Sequence, residues 1–157
     1  DPQAIRQALA NFKGIKRRFE YLIDTEGLVY IDDYAHHPSE LRALIASLRK
    51  MYPNRRILGI FQPHLYSRTQ DFYPGFASAL DGLDECLLLP IYPAREQPIE
   101  GVSSALIYNE MKLAKKALLS KQELIPHLKN SQLDIVLSLG AGDIDRMIES
   151  IKEALHG

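Results

Sequence analysis

Three short runs of this chain, Arg55 to Phe61, Asp84 to Leu89 and Leu133 to Leu139, turn apolar after their first residues and hardly alternate. A strand wetted on one face alternates polar with apolar positions, whereas a strand covered on both faces does not. Each run therefore needs helices above and below it, the condition of an α/β domain with three layers. The segments between the runs supply those helices. Pro38 suits the first position of a helix, where its missing N–H costs nothing, and Leu41, Leu44, Ile45, Leu48 and Met51 form the stripe behind it. Further helices are expected over 74–80, 103–115 and 122–129, with a short strand over 117–120. Ile144, Met147, Ile148, Ile151 and Leu155 give a closing helix.

The beginning of the chain has a different pattern. Ala4, Ile5, Ala8, Leu9 and Phe12 recur at helical spacing, and Gly14 stops that helix. Extended runs over 18–24 and 28–32 flank Thr25-Glu26-Gly27, which reads as a hairpin turn. The first strand is therefore expected to be an antiparallel edge, and right-handed crossovers join the other strands. The expected fold is a mostly parallel sheet of about six strands.

A chain of 157 residues makes one such domain with a short extension. Residues 1–14 are read as the tail of a preceding unit or a linker helix, and 15–157 as the domain. The opening Asp1-Pro2, without a methionine, is read as a cut point in a longer chain. A net charge of −1 gives no global attraction to nucleic acid or to an anionic membrane surface. No window approaches 18 consecutive apolar residues, so no transmembrane helix is expected. The single cysteine, Cys86, excludes an internal disulfide and lies inside a strand run, where it reads as a buried structural thiol.

Sheets of this kind bind ligands at the carboxyl ends of their strands. Asp32-Asp33-Tyr34-Ala35-His36-His37-Pro38 follows the second strand and joins carboxylates, a phenol and imidazoles just ahead of a helix N-terminus. Carboxylates accept hydrogen bonds from ribose hydroxyls or hold cations, and imidazoles donate to phosphate or carboxylate oxygens. Phe61-Gln62-Pro63-His64-Leu65-Tyr66-Ser67-Arg68-Thr69 follows the next strand, with His64 and Arg68 placed to face an anionic group. Lys16-Arg17-Arg18 reads, on its own, as a solvated charged face. Gly140-Ala141-Gly142-Asp143 is half of a dinucleotide fingerprint, but Asp145 takes the third glycine's place. It reads as a tight turn with Asp143 near the helix start.

The run Gly14-Ile15-Lys16-Arg17-Arg18-Phe19-Glu20, the run from Asp32 to Pro38, and Phe61-Gln62-Pro63-His64 with Tyr66-Ser67-Arg68-Thr69 closely resemble the Mur ligases over essentially the whole chain. The resemblance implies a Rossmann-like C-terminal domain over 15–157, working with N-terminal and central domains of the same enzyme. It implies ATP-dependent amide bond formation in the bacterial cytoplasm, for peptidoglycan precursor synthesis. UDP-N-acetylmuramate and L-alanine are the implied substrates, joined through an acyl phosphate; a murein tripeptide ligase of the same family is the alternative. By motif, Arg18 is the implied contact to ATP phosphates and Asp33 the holder of the ribose hydroxyls. Tyr34, His36, His64 and Arg68 fall where the substrate amino acid and the acyl phosphate are bound, His36 and Arg68 with catalytic roles. No metal ligand is implied here, because Mg²⁺ is mostly held outside this domain. Leu65 departs from the pattern: many members carry arginine there, which leaves Arg68 to grip the amino-acid carboxylate.

No G-x-x-x-x-G-K-[ST] loop occurs in these residues, so the chain alone is not expected to use ATP. Two other readings of the residues stay open. One is a metal-dependent phosphoesterase with Asp32, Asp33, His36, His37 and His64 as ligands. The other is a non-catalytic nucleotide- or partner-binding module of flavodoxin-like shape.

Overall fold

The computed structural model describes residues 1–11, 14–131 and 133–156. Its elements are α1 (Pro2–Ala10), β1 (Glu20–Asp24), β2 (Val29–Asp33), α2 (Pro38–Met51), β3 (Ile57–Phe61), α3 (Tyr66–Leu80), β4 (Glu85–Leu88), α4 (Ala105–Glu110), β5 (Lys116–Leu118), α5 (Lys121–Lys129), β6 (Ile135–Leu139) and α6 (Ile148–His156). Phe12, the last residue of the expected first stripe, lies outside the described residues. No helix among the described residues is long and apolar enough to cross a membrane.

The six strands form one sheet in the order β1-β2-β6-β3-β4-β5. β1 pairs antiparallel with β2 at the edge, and every other pair is parallel. The expected fold class is therefore the observed one. From β2 to β5 the chain steps in one direction across the sheet, and the crossovers put α2, α3 and α4 on one face. From β5 it returns to insert β6 between β2 and β3, which puts α5 and α6 on the other face.

Two cores result, one for each face. Ile31, Phe61, Leu88 and Leu137 pack under Leu41, Phe76 and Ile107, while Tyr30, Ile60, Leu87 and Val136 pack under Leu124 and Ile151. Every residue of β3 and β6 is buried, as expected for strands with no wet face. Cys86 is fully buried, and burial raises its thiol pKa far above the ordinary range.

Several boundaries depart from the expected ones, each for a physical reason. The helix expected over 74–80 begins at Tyr66 and keeps Pro74 inside it. An interior proline costs about 3 kcal/mol; burial of Thr69, Phe76, Ala77 and Leu80 outweighs it. The helix expected over 103–115 covers only Ala105–Glu110. Asp81 Oδ1 accepts the N–H groups of Lys112 and Leu113, both at 2.9 Å, and turns the chain out of the helix. The following strand lies at 116–118, slightly earlier than expected. The closing helix starts as a 3₁₀ turn, Asp143–Met147.

Candidate functional site

The loops after β2 and β3 leave toward the α2/α3 face, and the loop after β6 leaves toward α6. Diverging loops at neighbouring strands open the crevice that such sheets use for ligands. The post-β2 loop is held at its root by Asp33, the last residue of β2. Its Oδ2 accepts the Phe19 N–H at 2.7 Å and its Oδ1 accepts the Ala35 N–H at 2.8 Å. The carboxylate is half-buried, and a carboxylate oxygen that accepts one N–H can accept a second hydrogen bond.

A file of rings runs across the strand ends. Tyr34 meets the edge of His36 with centroids 5.3 Å apart, His36 meets His64 at 6.3 Å, and His64 stacks on Tyr92 at 5.8 Å with planes 19° apart. Arg68, the third residue of α3, brings Nη1 to 3.4 Å from His64 Nδ1. Tyr34, His36, His64 and Arg68, selected from separate segments of the sequence, thus form one contiguous group. Arg18 is exposed on the segment preceding β1.

The neighbours of the two imidazoles decide where their protons sit. His36 Nδ1 lies 3.0 Å from the Tyr34 carbonyl oxygen, which can only accept. Neutral His36 therefore carries its proton on Nδ1 and presents Nε2 as a base. His64 Nδ1 faces a guanidinium, which can only donate, so neutral His64 carries its proton on Nε2. Burial, then the charges of Arg68 and His36, lower the His64 pKa below 6.5 against a smaller opposing pull from Glu96. His64 is a neutral hydrogen-bond donor near pH 7, beside a fixed cation.

Three expectations need correction. Asp32, expected among the ligand-facing groups at the strand end, is the penultimate residue of β2 and fully buried. It points to the opposite face from Asp33, as strand alternation demands. Its Oδ1 accepts the Ser138 hydroxyl at 2.5 Å and its Oδ2 accepts Arg17 Nε at 3.0 Å. Arg17 is accordingly no solvated charge: its side chain is only 16% exposed. His37 is the N-cap of α2, its side chain accepting the Ser39 N–H at 3.3 Å. With Asp32 buried and His37 spent on capping, the five residues of the phosphoesterase reading do not converge. Among the described residues no group of three His, Cys, Asp or Glu side chains is arranged to hold a metal.

The Gly140 to Asp143 segment is a packing turn. A Cβ at Gly140 would sit 2.5 Å from the Gln62 carbonyl oxygen, and one at Gly142 would sit 2.6 Å from Tyr92 Cβ. Buried Gln62 clamps the turn, with Nε2 on Asp143 Oδ1 at 2.9 Å and Oε1 accepting the Ile144 N–H at 2.8 Å. Tyr92 and Glu96, both after β4, were not singled out in the sequence. Tyr92 holds His64 through reciprocal backbone bonds: Leu65 N to Tyr92 O at 2.9 Å and Tyr92 N to Pro63 O at 2.8 Å. Glu96 receives the Ser67 N–H at 3.0 Å and the Ser67 hydroxyl at 2.5 Å, which fixes the start of α3. The strand-end rule, applied to β4 as it was to β2 and β3, finds both.

Comparison with known proteins agrees with this arrangement. The family model for the Mur ligase, glutamate ligase domain matches residues 17–142. A UDP-N-acetylmuramate–L-alanine ligase of Porphyromonas gingivalis is 53% identical over 155 residues, covering 98% of this chain and 34% of that protein. The enzyme of the same name from Flavobacterium psychrophilum is 50% identical over 153 residues, again 98% of this chain and 34% of that protein. The crystal structure of the UDP-N-acetylmuramate–alanine ligase MurC from Thermotoga maritima superposes with a TM-score of 0.74 at 30% identity, covering 99% of this chain and 34% of that one. The chain thus spans about a third of the length of these relatives. With the family match spanning the whole sheet and all of the ring file, the chain belongs to the Mur ligase family, as its C-terminal, glutamate ligase domain.

Proposed function

We propose that this chain is the amino-acid- and ATP-facing domain of a cytoplasmic ligase that joins L-alanine to UDP-N-acetylmuramate. The observation that carries this reading is the convergence of Tyr34, His36, His64 and Arg68 at the ends of β2 and β3. The names of relatives at 50% and 53% identity supply the substrates.

The reaction makes an amide in two displacements. A UDP-N-acetylmuramate carboxylate oxygen attacks the γ-phosphorus of ATP, and ADP leaves. The alanine nitrogen then attacks the acyl carbon, and phosphate leaves. ATP with Mg²⁺ supplies the phosphoryl group. In this reading the magnesium is held mostly by the rest of the enzyme, and no step here runs through a metal.

Each residue has work suited to its chemistry. Arg68 pairs with the alanine carboxylate, for which a guanidinium offers a planar, two-pronged donor. Nε2 of His36 accepts a proton from the alanine ammonium, which must become an amine before it can attack. His64 donates from Nε2 to an oxygen whose charge grows in the transition state. Asp33, fixed by two backbone N–H groups, offers its remaining lone pairs to ribose hydroxyls. Exposed Arg18 reaches for phosphate oxygens. The central and N-terminal domains bring the nucleotide phosphates and the UDP-sugar, and closing them over this face excludes water.

The test is ADP release by the complete enzyme with ATP and UDP-N-acetylmuramate, adding either L-alanine or murein tripeptide. Release that depends on L-alanine supports the reading. Release that depends on tripeptide alone transfers the domain to the recycling ligase.

A further inference from the structure

We propose that Arg17 is a positioning residue for the alanine side of the site, acting through Tyr34; this rests on the ligase reading above. The guanidinium has three partners, two at the end of β2 and one just after β6. Nε donates to Asp32 Oδ2 at 3.0 Å, Nη2 donates to the Gly140 carbonyl at 2.6 Å, and the cation lies 5.1 Å from the Tyr34 ring centroid. The Arg17 carbonyl also accepts the Tyr34 N–H at 2.7 Å. Both the backbone and the ring of Tyr34 are therefore referenced to one residue, which is itself tied to the ends of β2 and β6.

That reference point is rigid. Asp32 is fully buried and bound to Ser138, whose hydroxyl oxygen accepts from Tyr30 at 3.1 Å. Arg17 adopts φ +59°, a conformation unusual for a residue with a side chain, and Glu20 receives its N–H at 2.8 Å. Neutralising Asp32 alone would require neither the strained backbone nor the reach to Gly140. Tyr34, in contrast, is 36% exposed and touches the remaining rings only through the edge of His36. Without Arg17 behind it, Tyr34 has no fixed plane, and the ring file loses its first member.

Arg17→Lys separates positioning from charge. Lysine still neutralises Asp32, but as a point charge it has no plane to lay on Tyr34 and no fork to reach Gly140 at the same time. In the complete enzyme, Arg17→Lys should raise the KM for L-alanine about tenfold, the loss of one partly desolvated cation–π contact. The KM for ATP should stay within about twofold. In a Tyr34→Leu background the same change should add nothing further, because the ring it acts through is gone. Equal rises in both KM values, or an effect that multiplies with Tyr34→Leu, would overturn the proposal.

A second arm uses this chain alone and does not depend on the ligase reading. By NMR, Arg17→Lys should shift the Tyr34 and His36 ring resonances while the core methyls of Leu41, Leu80 and Ile151 stay in place. Unmoved ring resonances overturn the positioning role. If wild-type enzyme shows no alanine-dependent ADP release, the ligase reading falls and this arm alone decides the role of Arg17. Should Arg17→Lys fail to fold, the double change Arg17→Gln with Asp32→Asn replaces the buried ion pair by a neutral hydrogen-bonded pair and is read in the same two ways.

Discussion

The imidazoles of His36 and His64 stand 6.3 Å apart, edge to face, and their neighbours fix them in opposite tautomers. One nitrogen that accepts and one N–H that donates thus face the same crevice from adjacent loops. That pairing suits a reaction in which an ammonium must lose a proton while an oxygen gains charge. Long-range ¹⁵N–¹H correlation should show the Nδ1–H form for neutral His36 and the Nε2–H form for His64. The same tautomer at both rings contradicts the assignment.

His64 should titrate below 6.5, and Arg68→Met should move its midpoint upward by removing the neighbouring cation. The consequence for stability follows from the direction. A histidine whose folded pKa is lowered binds a proton more readily when unfolded. Its contribution is intact above about pH 6.5, the unfolded value, and is lost as pH falls from there through the folded pKa. Thermal midpoints of wild type and Arg68→Met, compared between pH 7.5 and 5.5, should show the smaller acid loss in the variant. Equal losses would remove His64 from the account.

Leu65 caps α3 at φ 70°, ψ 138°, a region that side chains rarely occupy. Such strain costs on the order of 1–3 kcal/mol, and the added freedom of glycine in the unfolded chain returns up to about 1 kcal/mol of that. Leu65→Gly should therefore stabilise the domain by about 1 kcal/mol, raising the thermal midpoint by roughly 3 °C for a chain of this size. The loop carrying His64 and Arg68 would be looser, and activity of the complete enzyme should fall. A lower midpoint would show that packing of Leu65, half-exposed as it is, outweighs the strain.

Gly140→Ala should destabilise the domain by about 2–4 kcal/mol. The new Cβ meets the Gln62 carbonyl oxygen at 2.5 Å, at a backbone φ of 131°. Because the obstacle is backbone, Gln62→Ala should not rescue it. Rescue in a denaturant titration of the double variant would place the clash on the side chain instead.

Much of this was legible in the residues and some was not, for definite reasons. The unalternating runs of β3, β4 and β6 required helices on both faces, so the layered architecture followed from burial alone. The clustering of Tyr34, His36, His64 and Arg68 followed from one topological rule about strand ends. Boundaries set by distant partners were hidden: nothing local to Lys112 reveals that Asp81 will accept its N–H and end α4. Pro74 was a misleading start signal because the burial that outweighs an interior proline belongs to tertiary packing. The separate fates of Asp32 and Asp33 depended on β2 running through both, after which the pleat sends one to the core and the other to the crevice. Arg17 was hidden for the same reason, since its partner is that buried carboxylate.

Asp33→Asn should raise the KM for ATP more than the KM for L-alanine, with little change in kcat, because holding ribose hydroxyls is binding shared by ground and transition states. Steady-state kinetics of the complete enzyme read this directly. A rise confined to the alanine KM would move Asp33 to the amino-acid side.

The central claim is that the group around Arg68 binds the amino acid. Its most direct test is Arg68→Lys in the complete enzyme, varying L-alanine at saturating ATP and UDP-N-acetylmuramate. Lysine keeps the charge but loses the planar fork, a loss of about 1.5–3 kcal/mol for a charge-assisted contact. The account predicts a fall of roughly one to two decades in kcat/KM for alanine, carried mainly by KM. Alanine kinetics indistinguishable from wild type would contradict it.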